Sequence, residues 1–279
     1  MLTLKAYLQT GLKRVGLHQR LKASYIYDLY WRIVDKSLID DKRRELHFYR
    51  NLLAGFGQGN LIFDIGANLG LKTSIFLSLG ARVVAVEPDE VNQAILREMF
   101  LRYRFTPKPV VVVPQAVSNT SNVETMWIDA PGSAMNSFSQ KWVETLKADE
   151  KRFGHTLNFG RQKKVQTTTL EELVVKHGLP FFVKIDVEGY ELNVLRGMKR
   201  PVPYLSFEVN LPEFRQEGLQ CIELLENLAA DGKFNYAVDC RVGLVLREWL
   251  DAFDFSHVLS ACTETSIEVF WKTSISTGT

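Results

Sequence analysis

Apolar and polar positions follow two rhythms along the chain. From residue 1 to 54, apolar side chains recur at helical spacing through Leu21, Tyr25, Tyr27, Leu29 and Ile33, and again through Leu46, Phe48 and Leu52. That pattern predicts at least two helices and no strand. Beyond Gly55, short apolar runs alternate with amphipathic stretches. Strands are predicted at 61–65, 82–87, 110–114, 181–186, 204–209, 234–239 and 266–271. Helices are predicted at 71–79, 90–102, 170–177, 190–198 and 219–231. Such alternation implies βαβ units and a mostly parallel sheet covered on both faces. The run PVVVVP at 109–114 suits a strand buried on both sides. The pattern therefore predicts one α/β domain over 55–279 behind a helical extension over 1–54. Residues 120–165 break the alternation, with a strand expected near 123–129 and a helix near 140–150. A long excursion inside a domain reads as a lid or binding element.

Composition narrows the class. With 46% hydrophobic and 24% charged residues, the 279-residue chain is neither disordered throughout nor fibrous. A net charge of +2 gives no reason to expect a nucleic-acid partner. No apolar run approaches a transmembrane span, and the N-terminus lacks a signal-peptide core. Cys221, Cys240 and Cys262 are odd in number and outside metal-ligand spacing, which suits a reducing, cytoplasmic compartment. Lys5, Lys13, Arg14, Arg20 and Lys22 precede any acidic residue. A basic helix of this kind can dock peripherally on an anionic membrane, although a solvated packing helix is the commoner meaning.

The stretch LIFDIGANLG at 61–70 carries the most chemistry. An apolar strand ends near Asp64, turns through Gly66, Ala67, Asn68, Leu69 and Gly70, and enters a helix. Ligands of open α/β sheets bind at such strand ends, glycine admits close backbone approach, and the helix N-terminus receives an anion. Glu87 ends the second strand, where a carboxylate can accept from both hydroxyls of a ribose. The pattern points to a nucleoside cofactor. A dinucleotide fingerprint needs glycine where Asn68 stands, and Asp64 would oppose a pyrophosphate. S-adenosylmethionine removes the conflict, because Asp64 can serve its ammonium and the helix its carboxylate.

DIGANLG, VEP, VPQAVSN, TTTLEELV, KIDVEGYELNVLRGM and LSFEVN together resemble the FkbM family of S-adenosylmethionine-dependent methyltransferases, from about Leu61 to Asn210. The resemblance implies a class I methyltransferase fold, Rossmann-like, with a seven-stranded sheet whose last strand is inserted antiparallel. It also implies O-methylation of a small-molecule or saccharide hydroxyl, as on a sugar, glycan or polyketide. Carried over by position, Asp64, Gly66, Ala67, Asn68 and Gly70 form the methionine-end pocket and Glu87 holds the ribose. Gln115, Ala116 and Val117 lie along the adenine, and Asp186 faces the transferred methyl group.

Asp186 and Glu188 follow the fourth strand, with Lys184 on the same face as Asp186, while Glu208 and Asn210 share a face of the next strand. Two mechanisms are open. In one, a carboxylate among Asp186, Glu188 and Glu208, with Asp186 leading, accepts the hydroxyl proton. In the other, Asp186, Glu208 and Asn210 bind a hard cation such as Mg²⁺. Glu191 is expected to charge a helix N-terminus instead.

Asn136 and Ser137 are candidates for substrate binding, as is His155 in the insertion and Asn210. His18 and His47 lie in the N-terminal helices, His177 precedes a glycine cap, and His257 is expected in a C-terminal loop. Trp142, Phe153 and Phe159 are expected to form a small core within the insertion. Seven Lys/Arg against three Asp/Glu between Lys141 and Lys164 can receive an anionic substrate or merely face solvent. A nucleic-acid methyltransferase would carry an Asn/Asp-Pro-Pro-aromatic turn where Asp-Val-Glu-Gly stands. A non-catalytic scaffold docking through its basic N-terminal helices is the alternative from another class.

Overall fold

A computed structural model describes residues 36–101, 110–148 and 157–274. The helices expected around Leu21–Ile33, together with Phe153 and His155, lie outside these residues. The first described element is helix α1 (Lys36–Leu52). A βαβ series follows: β1 (Leu61–Ile65), α2 (Leu71–Leu79), β2 (Arg82–Val86), α3 (Glu90–Met99) and β3 (Val110–Val113). The inserted region contributes β4 (Ala116–Val117), β5 (Val123–Ile128), α4 (Gln140–Ala148) and β6 (Arg161–Thr168). The rest is α5 (Leu170–His177), β7 (Phe182–Ile185), α6 (Glu191–Arg196), β8 (Tyr204–Asn210), α7 (Arg215–Leu228), β9 (Lys233–Ala237), α8 (Ala252–Ala261) and β10 (Ser266–Lys272).

The main sheet runs β3-β2-β1-β7-β8-β10-β9, and β10 is antiparallel to both of its neighbours. This is the seven-stranded class I methyltransferase arrangement implied by the resemblance. The chain leaves β1 toward β2 on one side and returns to β7 on the other. A crevice therefore opens above the carboxyl ends of β1 and β7, the topological switch point where open sheets bind ligands. A second sheet, β4-β6-β5, stands beside that crevice.

Aromatic side chains fill both faces of the main sheet. On one, Tyr49 of α1 meets Phe76 of α2 and Phe182 of β7 at ring distances of 5.2 and 5.8 Å. Tyr49 is fully buried, so α1 contributes to the domain core. On the other face, Phe207, Phe214, Phe234, Phe255 and Trp271 pack with α5, α7 and α8.

Several sequence expectations shift. The valine run is an edge strand with Val111 38% exposed, since β3 has only β2 beside it. His257 belongs to helix α8, not to a loop. Asp251 caps that helix by accepting from Asp254 N, and Ala252, Phe255 and Leu259 are its buried stripe. Trp142 and Phe159 join the main core, and Trp142 lies edge-on to Phe214 at 5.5 Å.

Candidate functional site

Strand β1 carries Asp64 in a buried position with its neighbours already fixed. Its residues pair with β2 and β7, and Asp64 lies level with Lys184 in the register. Beyond β1 the turn takes three positive φ values, 80° at Gly66, 47° at Asn68 and 78° at Gly70. Both Gly66 N and Ala67 N donate to Val86 O at 3.0 Å, tying the turn to the end of β2. A Cβ at Gly66 would stand 1.8 Å from Asp186 O, so only glycine lets the ends of β1 and β7 approach this closely.

Asp64 is 1% exposed. Its Oδ2 accepts from Thr73 Oγ1 at 2.5 Å, while Oδ1 is buried without a partner. Burial pushes its carboxyl up, against the opposing pull of Lys184 and Thr73. Glu87, just past β2, accepts from Asn68 N at 2.7 Å and from Asp89 N at 2.8 Å. Burial nonetheless pushes Glu87 up to about 7. Asn68 Oδ1 and Asn92 Oδ1 are likewise buried acceptors without partners.

A cleft of about 240 Å³ runs past Gly66, Asn68, Glu87, Asn92, Gln115 and Asp186. Its polar fittings are acceptors in need of donors: the orphaned Asn68 and Asn92 oxygens and the Glu87 carboxylate, with the orphaned Asp64 oxygen buried behind the turn. An ammonium, ribose hydroxyls and an exocyclic amine would satisfy them, since a buried acceptor left unpaired costs about 1–3 kcal/mol. The donor inventory of S-adenosylmethionine fits the site. Of the residues expected to bind the cofactor, Gly66, Asn68, Glu87, Gln115, Ala116 and Asp186 line this cleft, whereas Asp64, Ala67 and Gly70 belong to the strand and turn beside it and do not line it.

The other end of the cleft is acidic. Asp186, Glu188 and Glu208 each place a carboxylate oxygen within 4.8 Å of the others. Lys184 Nζ donates to Asp186 Oδ2 at 2.6 Å from a buried position. Burial opposes that ammonium's charge, but Asp186, Glu268 and Asp64 outweigh it and hold Lys184 above the usual lysine range. Glu188 has φ 54° and accepts from Trp142 Nε1 at 3.1 Å. Burial, then Glu208 and Asp186, push its carboxyl well above the usual range. Burial and the Asp186 charge push Glu208 up to about 7. Glu191 accepts from Val187 N and Gly189 N at 3.1 and 3.3 Å, closing the loop before α6, and burial pushes it up to about 8.

The expected substrate and metal residues are placed differently. Ser137 is fully buried, donating to Glu188 O at 2.6 Å and accepting from Ser139 N at 2.9 Å. Its hydroxyl therefore supports the Glu188 backbone and does not face a substrate. Asn136 lines the cleft, but its amide bonds Asp129 N, Asp89 Oδ2 and Ala130 O. Asn210 turns its amide nitrogen to Glu208 Oε2 at 3.2 Å, the orientation of a donor to that carboxylate. Sequence reasoning missed Trp142 and Tyr190 as site elements. Tyr190 OH donates to Glu124 Oε2 at 2.5 Å, joining the end of the main sheet to β5. Neither role has a local signature, because each partner lies far away in the chain.

Comparison with known proteins gives three findings. The methyltransferase FkbM domain matches residues 64–237. Hexuronic acid methyltransferase AglP of Haloferax volcanii is 27% identical over 172 residues, covering 61% of this chain and 63% of that protein. The chain thus spans less than two thirds of that relative's length. Among solved structures, a precorrin-6y C5,15-methyltransferase from Geobacter metallireducens aligns at a TM-score of 0.41 and 9% identity, over 82% of this chain and 86% of that one. The plantazolicin methyltransferase BpumL, in complex with SAH, aligns at 0.38 and 9%, over 96% and 99%.

Proposed function

Because the chain belongs to the FkbM family of methyltransferases and takes S-adenosylmethionine as its cofactor, we propose that it methylates a hydroxyl oxygen of a saccharide. The acidic cluster at the ends of β7 and β8 carries this reading, because a hydroxyl acceptor must be aligned and relieved of its proton. Asp64 and the N-terminus of α2 would hold the ammonium and carboxylate of the methionine half, and Glu87 the ribose. Bound there, the cofactor supplies an electrophilic methyl carbon on a positive sulfur. The protein's share is to position the alcohol, exclude water and accept the proton at Glu188, Glu208 or Asp186. Positioning of this kind supplies up to about 7–11 kcal/mol, and a general base adds roughly 10²–10⁴-fold. The AglP relative, whose name gives a hexuronic acid as its substrate, supports a sugar acceptor.

The test is transfer of a labelled methyl group to glucuronides, galacturonides, neutral hexosides and a polyketide alcohol. Alkali distinguishes an ether from an ester. Alkali-stable label on a sugar is the expected result. Label on a carboxylate or amine would overturn the hydroxyl assignment. Binding of S-adenosylmethionine without transfer to any acceptor would favour the scaffold alternative. A hard cation held by Asp186, Glu188 and Glu208 is a second reading, favoured by their 4.8 Å grouping. Under that reading, chelation abolishes transfer and Mg²⁺ restores it.

The cofactor site should also be linked to pH. Glu87, pushed up to about 7 by burial, is partly protonated near neutrality. Ribose hydroxyls donate to its charged form, so the complex binds fewer protons than the free protein. Affinity is therefore expected to tighten as pH rises through about 7, with proton release. Calorimetry between pH 6 and 8 in buffers of different ionisation enthalpy measures the release directly. Net proton uptake would contradict it.

A further inference from the structure

Asn92 sits in the first turn of α3, 2% exposed, and lines the cleft. Asp89 caps this helix, its Oδ1 accepting from Val91 N at 2.8 Å and from Asn92 N at 3.4 Å. The cap fixes the backbone from which Asn92 projects. One end of the Asn92 side chain acts on the Glu87 carboxyl as a donor, favouring its charged form. A carboxylate only accepts, so that end is the amide nitrogen. The other end, Oδ1, is buried without a partner.

An unpartnered acceptor on a residue that lines the cleft calls for a donor on the ligand. Under the proposed function, the acidic cluster faces the methyl end and Glu87 the ribose. Asn92 lines the same cleft as Glu87, together with Gln115 and Ala116, and its Oδ1 lies against the turn of the inserted region at Gly132. Asp89 Oδ2 accepts from Gly132 N at 3.1 Å and from Asn136 Nδ2 at 3.2 Å, pinning the insertion's turn over α3. At Gly132, φ is 75°, and a Cβ there would come within 3.2 Å of Asn92 Oδ1. The oxygen therefore lies between the cleft and the insertion's turn, buried and in need of a donor. The base of the cofactor carries one such group.

We propose that Asn92 is a specificity-determining residue for the cofactor's base, with Oδ1 accepting a hydrogen bond from the adenine 6-amino group. The inference rests on the S-adenosylmethionine site described above and adds the reading of its base. Replacing the amino group with a carbonyl sets two acceptors against each other. A site that leaves a buried polar group unpaired discriminates strongly.

Calorimetry with S-adenosylhomocysteine and S-inosylhomocysteine tests this on the unmodified full chain. The adenosyl compound is expected to bind about tenfold tighter or more. In Asn92→Ala, and in Asn92→Ser should the alanine variant fold poorly, the preference should shrink to within about twofold as adenosyl affinity falls. Equal weakening of both compounds would mean that Asn92 only supports Glu87, and the proposal fails. Binding by the unmodified protein without base preference sinks the Asn92 assignment alone. Failure to bind S-adenosylhomocysteine at all sinks both the assignment and the cofactor site beneath it.

Discussion

Gly66→Ala is expected to weaken S-adenosylmethionine binding by roughly 100-fold or more, the scale on which displacements of an ångström act at a reacting site. Two penalties meet at this position. The residue holds φ at 80°, where a Cβ costs about 1–2 kcal/mol. The new atom would also lie 1.8 Å from Asp186 O and 2.9 Å from Asp186 C. Both atoms are backbone, and Asp186 N is itself tied to Ile65 O at 3.0 Å, so no side chain can swing aside. Either the turn retreats or the β7 end moves, and both surfaces line the cleft. Gly59→Ala is the control. Its φ of 88° imposes the same kind of backbone strain, but nothing lies within 4 Å of its Cβ. It should lower the melting temperature modestly and leave cofactor affinity unchanged. Calorimetry and thermal melts on the two variants separate clash from strain. Near-normal binding by Gly66→Ala would mean that this turn does not carry the cofactor.

The same turn explains why so much of the candidate site was legible in sequence. A strand, a glycine turn, a helix and an acid at the next strand end are local features of one βαβ unit. Their contacts follow from the parallel pairing of β1 with β2, whose register sets Ile65 against Val86. The acids at 186 and 208 were legible too, because β7 and β8 are adjacent and parallel. What stayed hidden depends on distant contacts. Strand β6 reads RQKKVQTT, mostly polar, and is a strand because it pairs with β5. Trp142 looked like the centre of a private core, since nothing near it in the chain announces Phe214 or Glu188. Asn136 and Ser137 looked available for a substrate because their partners, Asp89 and the Glu188 carbonyl, lie some 50 residues away. Helix α8 is a different kind of omission: its cap and apolar spacing were present in the sequence.

Glu188→Gln is expected to lower methyl transfer by about 10²–10⁴-fold while leaving S-adenosylmethionine affinity within about twofold. Glutamate in the left-handed region costs about 1–3 kcal/mol, and such strain persists only where the surroundings impose it. Here they do. Ser137 Oγ donates to its carbonyl, Trp142 Nε1 donates to its carboxylate, and Phe214 packs so closely on Gly189 that a Cβ there would lie 2.6 Å from the ring. The side chain is thus held at the cleft beside Asp186 and Glu208. Burial and those two neighbours push its carboxyl up, which makes it a stronger base once ionised. Glutamine keeps the shape and the Trp142 bond but cannot take a proton. Glu191→Gln provides the contrast, because Glu191 accepts from two backbone N–H groups and is withdrawn from the cleft. That variant should change stability more than turnover. Single-turnover rates on an acceptor found by the labelling test, with and without chelator, distinguish the roles. Unchanged turnover in Glu188→Gln would move the proton acceptor to Asp186 or Glu208. Loss of turnover on chelation in the unmodified enzyme would instead make the three carboxylates ligands of a cation.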